Sequence, residues 1–366
     1  MKYFERMVKV FVVGMALYPR ETLASVWRRL KPASRMEPQV LLLRAITREA
    51  PLLLRIETIN VCNAACAFCS YREMKRKKGV MSMALFEKIV KDYADMGGGP
   101  VSLTPVQGDA LLDPHLLDRV RRLEEDPKIN QITLTTNAIA LERYSDDDVC
   151  YLLKTLDCIQ LSIGGLDAET YKTMYAVERY EKVRQSMERL LKLKERVPDH
   201  GGIAFAFRTN DWRFEFRFRR QIKELRLKGV FISHIWLFDN YSGLIKSDKR
   251  RNIVVVDKLS KQDSACIYPS VNMAVLSDGR VTACGCTDIE GSGLMIGDVE
   301  KESLSAIWSG KKRTGMLDSF EKGKPPLMCQ KCTAYQPDSV FSRPYFKDVR
   351  PHQPLSRKFF HLFWGA

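Results

Sequence analysis

The segment 58-TINVCNAACAFCSYRE-73 places Cys62, Cys66 and Cys69 in one short run with the spacing C-x-x-x-C-x-x-C. It overlaps the end of 52-LLLRIETIN-60, an apolar stretch typical of a buried β-strand. Parallel α/β domains place their active sites at the carboxyl ends of their strands, so a thiol-rich loop after a strand lies where chemistry is expected. Three thiols are one ligand short of a structural zinc site. The missing ligand indicates a metal centre that keeps one position open.

Outward from this loop, short β-rich runs alternate with longer helical patterns. The predicted strands lie at 52–60, 101–106, 131–136, 158–163, 203–208 and 230–238, and the clearest helical patterns at 82–96, 114–126 and 178–197. Strands alternating with helices imply parallel β-α units, which right-handed crossovers wind into an open barrel or sheet. The predicted fold class is therefore α/β, a partial (β/α)6 TIM-like barrel with a small C-terminal cysteine-rich domain.

Shifts in composition predict four parts of the chain. They are a basic, amphipathic and helical N-terminal extension at 1–50, the partial barrel at 51–250, the cysteine-rich domain at 251–338, and a basic aromatic tail at 339–366. The cysteine-rich part offers little apolar core, and bound metal is the usual remedy in such small domains.

Composition narrows the functional classes. The 366-residue chain is 45% hydrophobic and 28% charged, which is ordinary for a soluble globular protein. Lys and Arg outnumber Asp and Glu by 59 to 44, and the net charge of +15 favours acidic partners. The chain is long and has ten cysteines, eight of them in two groups, which fits metal binding in a reducing cytoplasm better than a disulfide framework. We therefore predict a cytoplasmic protein.

Both termini combine basic and apolar residues, as in 1-MKYFERMVKVFVVGMALYPR-20 and 357-RKFFHLFWGA-366. The apolar run near the start is interrupted by Lys9 and is too short to span a bilayer. Basic residues beside aromatics suit peripheral contact with an anionic membrane surface. Docking of the termini on the protein's own core is the alternative, and the sequence leaves both open.

The run 62-CNAACAFC-69 resembles the signature of the radical S-adenosylmethionine (SAM) superfamily, including the aromatic Phe68 before the last cysteine. The resemblance implies a partial (β/α)6 barrel and a [4Fe-4S] cluster on Cys62, Cys66 and Cys69. Its open iron would bind SAM, and one electron from a reductant such as flavodoxin or ferredoxin would cleave SAM to a 5′-deoxyadenosyl radical. That radical would abstract a hydrogen from the substrate.

The same resemblance implies further SAM-binding residues. A turn similar to the superfamily's Gly-Gly-Glu motif lies in 104-TPVQGDALLDP-114, where the acid is one methylene shorter. Later strand ends supply an amide, a hydroxyl and a cation for the ribose and the methionine. Helix caps or satisfied turns are the alternative for these polar residues. The predicted cofactor-binding residues are Phe68, Gly108, Asp109, Asn137, Ser162 and Arg208.

The second cysteine group resembles the start of the SPASM domain, or of its shorter Twitch form, in C266-x12-G279-x4-C284. The resemblance implies one auxiliary [4Fe-4S] cluster, and its spacing is similar to that of aminocyclitol dehydrogenases of this class. Cys286 is left without a role. A structural zinc knuckle is the alternative, since four thiolates suit zinc as well as iron. The predicted ligands are Cys266, Cys284, Cys329 and Cys332.

The resemblance implies a dehydrogenase-like oxidoreductase that oxidises or rearranges a hydroxylated, sugar- or cyclitol-like small molecule. Phosphate-linked and lipid-linked forms of such a molecule belong to the same expectation. Epimerisation, dehydration and peptide maturation are alternatives within radical chemistry. An RNA-binding protein with zinc knuckles is the alternative of another class, because 212-WRFEFRFRRQIKELRLK-228 interleaves aromatics with arginines. A solvated amphipathic element is the commoner reading of that segment, so nucleic acid is not the expected partner. No catalytic acid or base is assigned.

Overall fold

A computed structural model describes residues 45–197, 201–257, 262, 264–285 and 287–337. The predicted tail and most of the predicted N-terminal extension lie outside the described residues, as does Cys286.

The strands are β1 (Leu53–Ile56), β2 (Pro100–Ser102), β3 (Gln131–Thr136), β4 (Cys158–Ile163), β5 (Gly202–Arg208), β6 (Phe231–Ile235), β7 (Leu237–Phe238), β8 (Val254–Val255), β9 (Asn272–Val275), β10 (Arg280–Thr282) and β11 (Met295–Asp298).

The α-helices lie between these strands and after them. They are α1 (Met83–Asp95), α2 (Leu116–Glu124), α3 (Asp146–Thr155), α4 (Ala168–Tyr175), α5 (Tyr180–Lys194), α6 (Phe214–Arg217), α7 (Arg219–Leu227), α8 (Ile267–Val271), α9 (Leu304–Ser309), α10 (Lys311–Glu321) and α11 (Leu327–Gln330). No described helix is both long and apolar enough to cross a membrane.

Nine strands form one sheet in the order β11-β10-β9-β1-β2-β3-β4-β5-β6. Strands β1 to β6 are all parallel to their neighbours, and helices fill the connections between them. The predicted α/β fold with a partial TIM-like barrel is confirmed. Strand β9 of the cysteine-rich part pairs with β1 in parallel, and β10 and β11 continue the sheet antiparallel. The cysteine-rich part therefore extends the sheet of the barrel.

The two faces of this sheet differ in chemistry. Register pairs Arg55 with Ser102 and Ser102 with Thr133, so these polar residues share one face. Their apolar neighbours along the strands, including Leu54 and Val101, belong to the main buried core with the inward residues of α1. We call the polar side the inner face.

The cysteine-rich part covers one region of this inner face. Arg55 Nη1 donates a 2.7 Å hydrogen bond to the carbonyl oxygen of Gly285. A Cβ atom at Gly285 would lie 3.0 Å from Arg55 Cδ and 3.2 Å from Ala274 Cβ, so a side chain here would have to displace its neighbours. Gly285 follows Cys284 directly, which places the second cysteine group against the inner face of the barrel.

Several predicted strands are longer than the observed ones: 52–60 contains β1 at Leu53–Ile56, and 230–238 contains the two strands β6 and β7. The strand predicted at 101–106 ends at Ser102, because the following residues turn back toward the first cysteine loop. The segment 212–228 contains helices α6 and α7. Phe214 is buried against Phe207, and Arg217 is paired with Asp211 at 2.8 Å.

Candidate metal and cofactor site

The first cysteine loop follows β1 and is anchored by backbone contacts with the end of α4. Ala65 N donates to Tyr175 O at 3.1 Å, and Ala67 N donates to Met174 O at 2.8 Å. Helix α4 ends there in a left-handed residue, Ala176, with φ of 56°. The last carbonyls of a helix lack intrahelical partners, so they are free to accept these bonds. The loop is thereby held at the carboxyl end of the barrel strands.

The three thiols lie close enough to influence one another. Burial raises the pKa of Cys62 to about 12, and the negative charges of Asp109 and Cys69 add to the rise. Burial also raises the pKa of Cys66 well above its ordinary value, reinforced by Cys69 and Cys62. Burial is again the main cause of the raised pKa of Cys69. Buried thiols that repel one another as thiolates are suited to a bound cation or cluster, whose positive charge favours the deprotonated form.

Gly108 brings the loop after β2 against the backbone that precedes Cys62. Its φ is +132°, and a Cβ atom there would lie 2.7 Å from Ile59 O and 3.1 Å from Val61 O. The next residue, Asp109, donates its backbone N–H to Val61 O at 2.9 Å. Only glycine combines this conformation with so close an approach. The predicted role of Gly108 in binding SAM stays a prediction, and the structure adds a role in seating the cysteine loop.

The Asp109 carboxylate is directed into the protein. Its side chain accepts hydrogen bonds from Thr136 Oγ1 at 2.8 Å, Asn137 N at 2.7 Å and Leu111 N at 3.1 Å. The residue is 3% exposed. These donors give Asp109 a role in tying the end of β3 to the loop after β2. Contact between Asp109 and the amino group of SAM stays a prediction.

Asn137 extends from the end of β3 to the first cysteine loop. Its Nδ2 atom donates to Asn63 Oδ1 at 2.8 Å and lies 3.8 Å from Cys62 Sγ. Its Oδ1 atom accepts from Ile139 N at 2.9 Å. The structure therefore brings Asn137 to the cysteine loop, as the prediction of a cofactor-binding residue requires.

Ser162, Arg208 and Phe68 form a connected group at the ends of β4 and β5. Arg208 Nε donates to Ser162 Oγ at 3.0 Å, and Ser162 Oγ lies 2.7 Å from Tyr175 Oη. The Arg208 guanidinium lies 5.5 Å from the centre of the Phe68 ring. Phe68 also contacts Tyr175 edge to face at 5.6 Å. A cation is thus held beside the cysteine loop, where the sequence predicts a partner for the methionine carboxylate.

Two residues at this site were not predicted. Gln107 Oε1 lies 3.5 Å from Cys69 Sγ, and Gln107 Nε2 donates to Ser70 Oγ at 3.1 Å. Its position directly before Gly108 is the sequence signal that could have identified it. Tyr175 has no such signal, because its contact with Ser162 depends on how α4 packs beside β4.

The structure gathers the four predicted ligands of the second group. Cys266 directly precedes α8, and Cys284 lies two residues after β10. Cys329 lies in the last turn of α11, and Cys332 lies two residues after that helix. Burial raises the pKa of Cys266 and of Cys332 to about 12, and the thiols at Cys284 and elsewhere in the group add to both. Burial likewise raises the pKa of Cys329, with Cys284 and Cys332 contributing.

Within the described residues, no three His, Cys, Asp or Glu side chains converge closely enough to hold one metal ion. The thiols of each group are the donor type that binds an iron–sulfur cube, in which each cysteine is a ligand of a different iron atom.

Two protein-family models match the parts of the chain that contain the two cysteine groups. Residues 56–215 match the Radical SAM superfamily, and residues 266–333 match SPASM, an iron-sulfur cluster-binding domain. The chain thus contains a radical SAM domain followed by a SPASM domain. The predicted classes of cofactor, [4Fe-4S] clusters and SAM, are confirmed at the level of these domains.

Curated relatives match the radical SAM part. The GTP 3′,8-cyclase of Pasteurella multocida is 28% identical over 143 residues, which is 38% of this chain and 41% of that enzyme. The probable GTP 3′,8-cyclase of Methanococcus maripaludis is 30% identical over 142 residues, 38% of this chain and 45% of that protein. The chain therefore matches less than half the length of these relatives.

Solved structures share the fold at low identity. Streptococcus suis SuiB bound to precursor peptide SuiA has a TM-score of 0.57 at 14% identity, covering 97% of this chain and 88% of that one. The enzyme anSMEcpe with bound AdoMet has a TM-score of 0.53 at 15% identity, covering 85% and 97%. BtrN in complex with AdoMet and 2-DOIA has a TM-score of 0.49 at 18% identity, covering 77% of this chain and 92% of that one.

Proposed function

We propose that this protein is a radical SAM oxidoreductase that removes a hydrogen from a hydroxylated, sugar- or cyclitol-like small molecule. Cys62, Cys66 and Cys69 would hold the catalytic cluster, and Cys266, Cys284, Cys329 and Cys332 the auxiliary one. When bound, SAM and the first cluster supply a carbon-centred radical. The protein's own part is to bind, orient and shield the substrate beside it.

The observation that carries the substrate class is a set of buried hydroxyl groups on and beside the inner face. Register places Thr135 of β3 opposite Gln160 of β4, on the same face as Thr133. The Oγ1 atoms of Thr135 and Thr104 are buried without a hydrogen-bond partner among the described residues. Buried polar atoms in proteins are normally paired. A ligand with several hydroxyl groups would supply the missing partners once the side chains that cover these atoms move aside on binding.

The positive charge of Arg208, at the carboxyl end of β5, supports an acidic or phosphate-bearing form of this substrate. Arg208 has one hydrogen bond, to Ser162, and no ion pair with a carboxylate within the described ranges. A guanidinium placed this way can bind the carboxylate of SAM or an anionic group on the substrate. The positive net charge of the chain favours the approach of anionic molecules to either position.

The test is an anaerobic reaction of the reconstituted full chain with SAM and a chemical reductant. Sugars and cyclitols, with and without phosphate, are compared with peptides and with GTP. We expect a hydroxylated small molecule to stimulate 5′-deoxyadenosine formation and to lose two hydrogens by mass spectrometry. One hydrogen atom would go to the 5′-deoxyadenosyl radical, and the other would leave as a proton while the auxiliary cluster would accept the remaining electron. Stimulation by peptides alone would establish peptide maturation, and stimulation by GTP alone would establish nucleotide chemistry; either result contradicts the proposal.

A matched pair of variants tests the inner face. Thr135→Val removes an unpartnered hydroxyl at nearly constant volume and should raise KM for the hydroxylated substrate about tenfold, as expected when one buried hydrogen bond is lost. Ser309→Ala, which removes a hydroxyl from α9 that donates to Ser305 O at 2.9 Å, serves as the control. Equal KM values for the two variants would exclude Thr135 from the substrate site.

Peptide maturation is the second candidate, and it rests on a likeness of fold. SuiB is described as bound to a precursor peptide, and that structure covers 97% of this chain. Its TM-score of 0.57 is larger than the 0.53 of anSMEcpe. At 14% identity this supports the fold and not the reaction. The substrate comparison above decides between the two candidates.

A further inference from the structure

Asp239 lies one residue from each of two contacts that connect the two cysteine groups. On its amino side, Phe238 stacks on Phe68 with ring centres 4.8 Å apart and an interplanar angle of 12°. Phe68 directly precedes Cys69. The residue before Asp239 is thus packed on the first cysteine loop.

On its carboxyl side, Asn240 holds the segment that contains Cys332. Asn240 N donates to Thr333 Oγ1 at 2.8 Å, and Asn240 Nδ2 donates to Lys331 O at 2.8 Å. Thr333 N returns a hydrogen bond to Asn240 Oδ1 at 3.2 Å. The residue after Asp239 therefore holds both chain neighbours of a predicted auxiliary ligand.

The backbone beyond these contacts is strained. Tyr241, Ser242 and Gly243 have φ values of 45°, 54° and 96°, all in the left-handed region. Two successive residues with side chains in this region persist only when surrounding contacts hold them. Asp239 Oδ1 accepts a hydrogen bond from Tyr241 N at 2.9 Å, which fixes the carboxylate against this turn.

The charge of Asp239 acts on both cysteine groups. Burial is the main cause of the raised pKa of Cys69 and of Cys332, and the negative charge of Asp239 adds to the rise at both thiols. Burial raises the pKa of Asp239, and the hydrogen bond from Tyr241 N and the positive charge of Arg208 oppose that rise and favour the carboxylate. No salt bridge to Asp239 is formed within the described part of the chain, so its charge is not cancelled by direct contact.

We propose that Asp239 is a positioning residue shared by the two cysteine sites, whose carboxylate lowers the reduction potentials of the clusters bound at both. Each cluster gains negative charge when it is reduced, and a nearby fixed negative charge opposes that gain in a poorly hydrated interior. The inference rests on the proposed ligand sets and does not depend on the substrate.

The experiment measures midpoint potentials of both clusters by redox titration followed by electron paramagnetic resonance. It uses the anaerobically reconstituted full chain without substrate, and Cys62/Cys66/Cys69→Ala in each background to isolate the auxiliary cluster. Asp239→Asn should shift the reduction equilibrium of each cluster about tenfold toward the reduced form, or about 59 mV upward for one electron. Asp239→Glu keeps the charge and should leave both potentials near those of the wild type.

Asp211→Asn is the matched control, because it removes a carboxylate beyond β5 that pairs with Arg217 and whose charge bears on His234. Potentials in Asp239→Asn that equal those of the wild type or of this control overturn the proposal. A shift at only one cluster overturns the shared role. If Asp239→Glu shifts the potentials as much as Asp239→Asn, packing is responsible and the electrostatic role is wrong.

Discussion

Arg76 binds Glu57 through two hydrogen bonds, from Nη1 at 2.7 Å and from Nη2 at 3.0 Å, with both side chains at most 2% exposed. Glu57 follows β1 and also accepts from Gln107 N at 3.0 Å and Ser277 Oγ at 3.2 Å. Arg76 Nε donates to Ile289 O at 2.6 Å. One buried ion pair therefore joins the end of β1, the loop after β2 and the cysteine-rich part of the chain.

Removal of one partner from this pair should destabilise the whole fold. Arg76→Met leaves the Glu57 carboxylate buried without its cation, which costs about 3–5 kcal/mol of unfolding free energy. Chemical denaturation of the full chain, followed by circular dichroism, measures the loss. The double variant Glu57→Gln/Arg76→Met should be more stable than Arg76→Met alone; equal or lower stability would show that the charge pair is not the cause.

Iron content should report the two cysteine groups separately. Anaerobic reconstitution should give about eight irons per chain, and Cys62/Cys66/Cys69→Ala about four, as two cubes predict. The same variant should form no 5′-deoxyadenosine. Cys150→Ala is the control, because Cys150 lies in helix α3 and is not a predicted ligand of either group. A fall from about four irons to none would mean that the second group holds no cluster.

Gly108→Ala should disturb the first cysteine group selectively. The added Cβ atom would lie 2.7 Å from Ile59 O at a φ of +132°, so the cysteine loop must shift. Strain of this kind costs on the order of 1–3 kcal/mol. We expect weaker SAM binding by equilibrium dialysis and loss of iron from the first site. Gly79→Ala is the control, since a Cβ atom there meets nothing within 4 Å; the same losses in both variants would contradict the argument.

His234 should make the stability depend on pH. Burial lowers the pKa of His234 to about 4, and its Nε2 atom lies 2.9 Å from Thr209 Oγ1. The folded pKa is below the unfolded value of about 6.5, so the unfolded chain binds more protons between these values. This contribution is present above about pH 6.5 and is lost as pH falls toward about 4.

Wild type and His234→Gln should therefore respond differently to acid. Between about pH 7 and pH 5 the wild type should lose about 2 kcal/mol more unfolding free energy than the variant. Denaturation at several pH values measures the difference. The carboxyl groups are the same in both proteins, so their contributions to the pH dependence cancel in the comparison. Parallel pH profiles would show that His234 is not buried in its neutral form.

Local pattern predicted the main elements well where strands were long and alternating. Strands β3 and β4 coincide with the predicted stretches, because each combines β-branched residues with a strict alternation. The predicted strand at 101–106 extends beyond β2, because the residues after Ser102 are apolar enough to resemble a strand but belong to the turn at Gly108. The cysteine-rich part was expected as a separate unit, and pairing of β9 with β1 is a long-range contact without a local signal.

The two cysteine groups and the alternating β-α order follow from the amino-acid sequence alone, because ligand spacing and periodicity are local properties of the chain. The sequence also indicates which strand ends carry polar residues. Long-range packing, in contrast, directs Asp109 inward, brings Arg208 to Ser162 and places Asp239 between the two groups. Those relationships depend on how distant strands and loops pack together, and such packing is set by the fold as a whole rather than by neighbouring residues.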